Sequence, residues 1–339
     1  MQYIYVHELG EMKLKKVKNM SIFKNWKLRT KLIVSFILVL LIPSMAIGIS
    51  SFQKAQDVLG DYIHDTAVQD LKSVDKQVVD TFTPKINDLN YLAGTINNTM
   101  YGENEKIQQQ FTQYIELHPG ASAIYVGTTD GKMIVQPTLD LPDDYDPRQR
   151  VWYEDAMESK GEVVITEPYL DASSNETMIT VASTTNDGTG VIGIDISLAE
   201  IASFTKDIKI GENGYVIILD AENNYLYHPN EDTGIEASGE WTKTVFNQAA
   251  GQFSYLYDGE SKEMYFETNE LTGWKVLGTV YTSELADASS SILDTTLTVV
   301  VISLLLVIVI IIFITRSITK PLTSLTSSVN KISNGDKNY

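Results

Sequence analysis

Two long apolar runs without a single charge divide the chain, at residues 32–52 and 295–315. Each has 21 residues, and a helix of about 20 residues crosses a hydrocarbon core of about 30 Å. The alternatives are a buried core helix for both runs and a cleaved signal peptide for the first. The first run is longer than a signal-peptide core, and no small-residue cleavage site follows it. The pattern therefore predicts two transmembrane helices.

The segment after the first run has the spacing of a long amphipathic helix. Apolar side chains recur at intervals of three and four residues, which places them on one helix face. They are Leu71, Val74, Val78, Phe82, Ile86, Leu89, Leu92, Ile96 and Met100. Pro84 is expected to kink this helix, and a second helical stretch is predicted at residues 105–116. We expect the apolar stripe to pack on its own domain and to pair with a second copy of the chain.

Beyond residue 118 the pattern changes to short β-strands separated by turns. Residues 122–126 and 133–135 predict a hairpin, because Thr129, Asp130 and Gly131 form a turn signal between them. Further strands are predicted at residues 163–166, 178–183 and 190–197, with a helix at 198–208.

The same order of strands recurs later in the chain. A second hairpin, at residues 215–219 and 225–229, follows the first after about 92 residues, and strands at 264–269 and 275–282 recur after about 85. Two copies of so long a period are typical of a tandem duplication rather than a solenoid. Chance similarity of two β-meanders is the alternative. We predict a diverged duplication of one α+β unit.

The charge distribution predicts how the chain is oriented. Eight basic and two acidic residues precede the first apolar run, and four basic residues and one acidic residue follow the second. Both termini are therefore expected in the cytoplasm. Residues 53–294 carry 14 basic and 41 acidic side chains. They are expected to form an extracytoplasmic domain of a multi-pass protein in the cell membrane. The net charge of −18 argues against a nucleic-acid partner.

Signals of catalysis and of metal binding are weak. The chain has no cysteine, which excludes disulfides, thiolate metal sites and cysteine nucleophiles. Its four histidines form no recognised catalytic motif. His228 is interpreted as a packing residue, and Asp143, Asp144 and Asp146 are interpreted as a solvated loop rather than a calcium site. We expect neither an enzyme nor a metal or other cofactor.

One segment is chemically dense. Residues 145–153 hold two arginines and three aromatic residues, and Asp195 follows within an apolar strand. Arginine can hold a carboxylate by two parallel hydrogen bonds, and a buried carboxylate needs a cationic partner. Either Arg150 and Asp195 form an internal ion pair, or a small zwitterion places its carboxylate on Arg150 and its ammonium on Asp195. Residue chemistry alone favours the ion pair.

The motifs D-P-R-x-R-x-W-Y, P-Y-x-D and G-V-x-G-x-D-I-S, in this order between two membrane helices, resemble the double Cache domain of bacterial methyl-accepting chemotaxis receptors. The resemblance runs from about Trp26 to the end of the chain and is greatest to receptors of Bacillus-type bacteria. It implies an α+β fold with two transmembrane helices flanking an extracytoplasmic tandem of PAS-like (double Cache) subdomains and a long N-terminal helix.

One subclass of this family binds free amino acids, and the chain has a match for each residue of its ligand set. The resemblance implies that Arg150 and Trp152 hold the ligand carboxylate and that Tyr145 lines the pocket. Four further residues would surround the ligand ammonium: Tyr153, Tyr169, Asp171 and Asp195. Arg148 also has a structural interpretation, in which the D-P-R turn braces the loop.

The end of the chain resembles the first helix of a HAMP linker. Arg316 to Leu322 read R-S-I-T-K-P-L, apolar residues continue at helical spacing, and Gly335 and Asp336 follow. The chain stops at Tyr339, before the rest of a HAMP module, so we interpret it as a sensor half, either a fragment or a truncated product. The chemotaxis kinase and the coupling protein would be reached through the missing domains.

These interpretations divide the chain into seven segments. They are a cytoplasmic N-terminus at 1–31, transmembrane helix 1 at 32–52, a helical stalk at 53–118, a membrane-distal subdomain with the ligand pocket at 119–209, a membrane-proximal subdomain at 210–294, transmembrane helix 2 at 295–315 and a partial HAMP helix at 316–339. The membrane-proximal subdomain lacks an Arg-x-Trp-Tyr segment and is interpreted as a relay.

The predicted function is a homodimeric chemoreceptor sensor region that binds a small extracellular molecule, with an amino acid as the expected ligand. One alternative is the sensor half of a membrane histidine kinase or cyclic-dinucleotide enzyme, because sensor modules are shared among outputs. The other is a membrane-anchored surface protein or ectoenzyme without a signalling role.

Overall fold

The computed structural model describes Trp26 and residues 28–159, 161–314, 316–317 and 320–333. The basic residues of the N-terminal flank up to Lys27, and the Gly335–Asp336 pair, lie outside the described residues. The chain forms two compact units. One contains residues 1–58 and 286–339, and the other contains residues 59–285.

The described part of the chain contains helices and strands in the following order. The helices are α1 (Leu28–Thr95), α2 (Asn104–Leu117), α3 (Val151–Glu158), α4 (Leu198–Thr205), α5 (Glu240–Asn247), α6 (Thr282–Ile314) and α7 (Lys320–Ser333). The strands are β1 (Ala123–Thr128), β2 (Met133–Gln136), β3 (Val164–Ile165), β4 (Tyr169–Leu170), β5 (Thr177–Thr184), β6 (Gly190–Ser197), β7 (Tyr215–Leu219), β8 (Tyr225–Tyr227), β9 (Ala250–Tyr257), β10 (Glu260–Thr268) and β11 (Lys275–Tyr281).

The first unit contains the two apolar helical segments. By length and composition, the part of α1 from Ile33 onward and the segment Ile292–Ile314 of α6 can each cross a membrane. Their most apolar windows have mean hydropathies of 2.5 and 3.6, and 6% and 11% of the residues in these windows are buried. So much exposed apolar surface is unfavourable in water and matches the environment of lipid chains.

The second unit is built on two antiparallel sheets that have the same strand order. The first has the order β2-β1-β6-β5-β3, with β4 also pairing with β5, and the second has the order β8-β7-β11-β10-β9. The pairing register of the two sheets also corresponds. Ala123, the first residue of β1, pairs with Asp195 of β6, and Tyr215, the first residue of β7, pairs with Thr279 of β11. The predicted tandem of α+β units is therefore present, and we call the two copies the first and second repeats.

Helix α1 supplies one wall of the core. Its stripe includes Leu71, Val78 and Phe82, all nearly inaccessible to solvent, and the Phe82 ring packs edge-on against Trp274 with centroids 5.3 Å apart. The inner faces of both sheets belong to the same apolar cluster. Pro84 does not end the helix, which continues to Thr95.

Four elements were not predicted from the sequence: α3, β4, α5 and β9. Both helices have only eight residues, too few for a strong 3.6-residue pattern. β9 is the edge strand of the second sheet, and its side chains alternate between exposed and half-buried positions. A strand of this kind has no run of buried apolar residues to mark it.

Candidate ligand-binding site

The predicted site residues gather on the outer face of the first sheet. Successive side chains of a strand point to opposite faces. Ile124 of β1 accordingly belongs to the core against α1, whereas Tyr125 belongs to a separate cluster with Trp152 and Tyr153 of α3. Helix α3 thus covers the outer face of the sheet, and the site lies beneath it.

Asp195 is a buried carboxylate at the centre of this face, with 3% of its surface exposed. Its Oδ1 accepts hydrogen bonds from the Tyr125 hydroxyl and from the Thr180 hydroxyl, each at 2.6 Å, and from Tyr169 at 3.4 Å. These three hydrogen bonds all reach the same oxygen. Oδ2 of Asp195 is therefore the carboxylate oxygen that can accept a hydrogen bond from a further donor.

Tyr125 reaches Asp195 because Gly193 leaves room for its ring. Tyr125 pairs with Gly193 across β1 and β6, and a Cβ at position 193 would overlap the tyrosine ring. The ring also packs against Trp152, with centroids 4.7 Å apart. The glycine in the strand is thus a close-approach position that directs a phenol toward the carboxylate.

Arg150 lies at the other end of the site. Its Cζ is 5.5 Å from the ring centroid of Tyr169 and 6.0 Å from that of Tyr145, and its Nη2 donates to the carbonyl of Leu170 at 2.9 Å. Among the described residues it forms no salt bridge. The internal Arg150–Asp195 ion pair, which residue chemistry favoured, is absent there.

Tyr169 connects the two ends of the site. Its ring lies beside the Arg150 guanidinium, while its hydroxyl is 2.6 Å from Thr180 Oγ1 and within reach of Asp195. The short strand β4 places it there by pairing Tyr169 with Met178. A guanidinium and a carboxylate, neither paired with a protein charge, are thus separated by about the length of one tyrosine side chain.

Asp171 follows Tyr169 in the loop after β4. Its Oδ2 accepts from the backbone and hydroxyl groups of Ser173 and Ser174, at 2.7–3.0 Å. Burial would raise the pKa of Asp171, but these hydrogen bonds outweigh it and lower the pKa below the usual value. Asp171 is therefore a carboxylate with a fixed orientation, and its charge is felt at Asp195.

The other predicted residues divide into two groups. Trp152 is buried beneath the site, and Tyr145 lies half-buried beside Arg150. Burial raises the pKa of Tyr145 to about 12, partly opposed by the neighbouring Arg150. Tyr153 packs in the same aromatic cluster, but the charged side chains that act on its hydroxyl are Arg148 and Asp146 rather than Asp195.

Arg148 has the bracing role that its turn suggested. Its guanidinium contacts both oxygens of Asp146 at 2.7–3.2 Å, and Asp146 caps the short turn Pro147–Gln149 by accepting from the Arg148 backbone. Hydrogen bonds from Arg148 lower the pKa of Asp146 to about 2. This pair fixes the loop that leads into α3.

The electrostatics of the site favour an incoming cation at Asp195. Burial raises the pKa of Asp195 to about 6, while the hydrogen bonds from Thr180, Tyr125 and Tyr169 lower it and the charge of Asp171 raises it. At neutral pH the carboxylate is mostly ionised without a positive partner. An ammonium at this position would relieve the cost of burying it.

Tyr125 and Thr180 hold Asp195 in place, and neither was predicted from the sequence as a site residue. Both are visible only through strand register, because Thr180 lies directly across from Asp195, and Tyr125 across from Gly193. The available signal was weak: a polar Thr within the apolar strand β5 and a Tyr in β1.

Two other groups of ionisable residues lie outside this site. Carboxylate oxygens of Glu167, Asp220 and Glu222 lie within 4.8 Å of one another, close enough to share a cation. Burial and the neighbouring carboxylates raise the pKa of Glu167 to about 8, so that a proton can relieve the repulsion. His228 packs against the rings of Tyr215 and Tyr225, and its Nδ1 accepts from the backbone of Asn230.

Replacing Tyr125 with phenylalanine is expected to raise the pKa of Asp195 by about one unit. The variant removes a 2.6 Å hydrogen bond that stabilises the ionised carboxylate, and such bonds contribute about 1.5–3 kcal/mol. Infrared difference spectra recorded across pH would follow the carboxyl band, assigned with Asp195→Asn. Tyr153→Phe is the matched control and should leave that pKa unchanged. An equal shift in both variants would contradict the arrangement described above.

Comparison with known proteins agrees with this architecture. Residues 53–289 match the dCache_1 family model, described as a Cache domain. The methyl-accepting chemotaxis protein McpB of Bacillus subtilis (strain 168) is 36% identical over 324 residues, which cover 94% of this chain and 49% of the relative. McpA of the same organism is 34% identical with the same coverage. The chain spans about half the length of these curated relatives.

Solved structures show the same fold. The ligand-binding domain of the amino acid chemoreceptor PctB of Pseudomonas aeruginosa PAO1, in complex with L-Gln, has a TM-score of 0.53 and 25% identity, and the match covers 66% of this chain and 92% of that one. The ligand-binding domain of Mlp24 with asparagine has a TM-score of 0.57 and 20% identity, covering 70% and 99%. Because the family match covers well over half of the chain, the protein belongs to the Cache domain family, dCache_1.

Proposed function

We propose that the chain is the sensor region of a transmembrane chemoreceptor and that its first repeat binds a free amino acid. The observation that carries the proposal is the pair of opposite charges, Arg150 and Asp195, that share one site without contacting each other. An α-amino acid carries both complementary charges on one carbon. The relatives are methyl-accepting chemotaxis proteins, which favours a chemotaxis output over a histidine kinase or cyclic-dinucleotide enzyme.

The ligand would bind by its two charged ends. Its carboxylate would replace the Leu170 carbonyl as the partner of Arg150, and the indole N–H of Trp152 would add a second donor. Its ammonium would contact Oδ2 of Asp195, with Asp171 and the Tyr169 hydroxyl beside it. Tyr145 would close the pocket. The sequence resemblance places Tyr153 near the ammonium as well.

The proposed organisation follows the sequence segments. Residues 32–52 and 295–315 would be the two transmembrane helices, with residues 1–31 and 316–339 in the cytoplasm and the two repeats outside. The first repeat, within 119–209, would be membrane-distal, and the second, within 210–294, would relay the signal. Two copies would pair through α1, and domains absent from this chain would contact the chemotaxis kinase and its coupling protein. Binding shifts such a receptor only by its differential affinity for the two states.

A calorimetric screen of free amino acids against the whole chain in lipid nanodiscs tests the proposal. We expect at least one amino acid to bind with one site per chain and to raise the unfolding temperature, since a ligand that binds only the folded state stabilises it. The same side chain without an α-carboxylate, offered as the decarboxylated amine, should not bind. A screen without any binding amino acid, or a hydrolytic activity in the purified chain, would refute the proposal.

A further inference from the structure

The second repeat contains a cavity on the outer face of its sheet, the face that in the first repeat holds Asp195. It has a volume of about 560 Å³ and lies between α5 and β9, on the outer face of the second sheet. In the first repeat, α3 covers the equivalent face. Ligand pockets commonly have volumes of about 300–1,000 Å³. The cavity is therefore large enough for a small molecule.

The second repeat does not reproduce the chemistry of the first. By register, Thr279 occupies the position of Asp195, and Leu277 occupies that of Gly193. Threonine carries no charge, and the Thr279 hydroxyl is 2.8 Å from the hydroxyl of Tyr255, so Thr279 cannot replace Asp195 as a charged anchor. A ligand of this cavity must therefore be recognised by other groups.

Aromatic rings form the floor of the cavity. The ring of Tyr255 is central, with its centroid 6.2 Å from Trp241, 6.1 Å from Phe253 and 6.5 Å from Tyr257. Phe253, Tyr255 and Tyr257 are alternate residues of β9, so their side chains share one face of the strand. These rings offer several electron-rich faces to one occupant.

Trp241 lines this cavity and carries a buried hydrogen-bond donor without a partner among the described residues. Its side chain is buried, with 7% of the residue exposed, yet the Nε1 atom has no acceptor among the described residues. The edge that carries Nε1 faces Gly239, another lining residue, and a Cβ at position 239 would lie 2.7 Å from this nitrogen. Buried donors are almost always paired, so this one indicates an acceptor that the described residues do not supply.

The charges around the cavity select the sign of the ligand. The two lining residues that carry a charge at neutral pH, Glu240 and Asp258, are acidic and exposed, and Glu231 accepts from the Tyr257 hydroxyl at 2.8 Å. Nearby tyrosines already hold one cation. The Lys262 Nζ is 4.1–5.0 Å from the ring centroids of Tyr281, Tyr257 and Tyr215.

We propose that the second repeat has its own ligand site, which takes a small organic cation that carries an oxygen acceptor, the chemical class of choline. The cationic head would lie on the rings of Tyr255 and Phe253, between the carboxylates of Glu240 and Asp258. The oxygen would accept from Trp241 Nε1 after a small rotation of the indole. The occupant would bridge α5 and the edge strand β9.

Calorimetry on the whole chain in lipid nanodiscs tests this site with three probes: choline, tetramethylammonium, which lacks the oxygen, and benzoate, which has the opposite charge. Choline should bind with one site per chain and more tightly than tetramethylammonium, and benzoate should not bind. Trp241→Phe should weaken choline about fivefold, the effect of one lost hydrogen bond, and tetramethylammonium less. Phe253→Leu should weaken both cations about threefold.

Arg150→Ala separates this site from that of the first repeat. The variant should leave choline binding unchanged, whereas Trp241→Phe should leave amino-acid binding unchanged. The proposal is overturned if choline does not bind, if benzoate competes with it, or if choline binding is lost in Arg150→Ala and unaffected by Trp241→Phe. Failure of the amino-acid proposal alone would not alter the expected choline results.

Discussion

Replacing Arg150 with alanine is expected to weaken amino-acid binding by a factor of about 100 or more. The guanidinium is the positive group of the site, and removing one partner of a hydrogen-bonded charge pair costs about 2–5 kcal/mol. Stability should change little, because the described structure gives the Arg150 side chain one hydrogen bond, to the Leu170 carbonyl, and no ion pair. Calorimetric titration with the amino acid that binds the wild-type chain measures the loss.

Arg148→Ala is the matched control for that experiment. The two arginines lie two residues apart, but Arg148 is held by Asp146 at the surface. Its replacement should change affinity by less than about threefold, because only the bracing of the loop is affected. If Arg150→Ala retains wild-type affinity, or if both variants lose it equally, the assignment of the carboxylate-binding group is wrong.

Asp195→Asn is expected to weaken the same ligand by a comparable factor while stabilising the free protein above pH 6. The amide can still accept from Tyr125 and Thr180 at the position of Oδ1, so local packing is kept. The charge that attracts the ammonium is lost. A free-energy gain on the order of 3 kcal/mol follows from removing a carboxylate whose pKa is raised by burial to about 6.

The sign of the pH effect follows from that raised pKa. The folded state favours the protonated carboxyl, so the penalty of burying its charge is absent below the unfolded pKa of about 4 and complete above about 6. Wild-type and Asp195→Asn chains should therefore differ in unfolding temperature at pH 8 and converge at pH 4. Ligand affinity of the wild-type chain should fall as pH decreases below 6, and that of the variant should not. Parallel curves for the two proteins would contradict the role of Asp195.

Sequence patterns predicted the helices and strands in which apolar residues follow a strong and regular spacing. The stripe from Leu71 to Leu92 on α1 and the strand from Gly190 to Ser197 are present as expected. Residue chemistry brought together Arg150 and Asp195, which are 45 residues apart, but only the family resemblance favoured a ligand between them over an ion pair. Their separation within the site depends on β4, a two-residue strand that no periodicity can reveal.

The groups that support the site depend on pairing between distant strands. Thr180 and Tyr125 contact Asp195 because β5 and β1 flank β6 in a particular register, which the sequence alone does not define. Helix α5 and strand β9, which line the cavity of the second repeat, are short or half-exposed and carry weak patterns. Local sequence patterns therefore predicted most helices and strands. The contacts around Asp195, in contrast, depend on the pairing of strands that are distant in sequence.

The hydrogen bond from Arg150 to the Leu170 carbonyl could signal whether the ligand site is occupied. In the free protein this bond ties the loop before α3 to the edge of the first sheet, where β4 has two residues and Leu170 is exposed. A ligand carboxylate is a stronger acceptor than a neutral carbonyl and would take the guanidinium for itself. Each binding event would then exchange a protein contact for a ligand contact, and we expect hydrogen exchange at Leu170 to increase as the pocket fills.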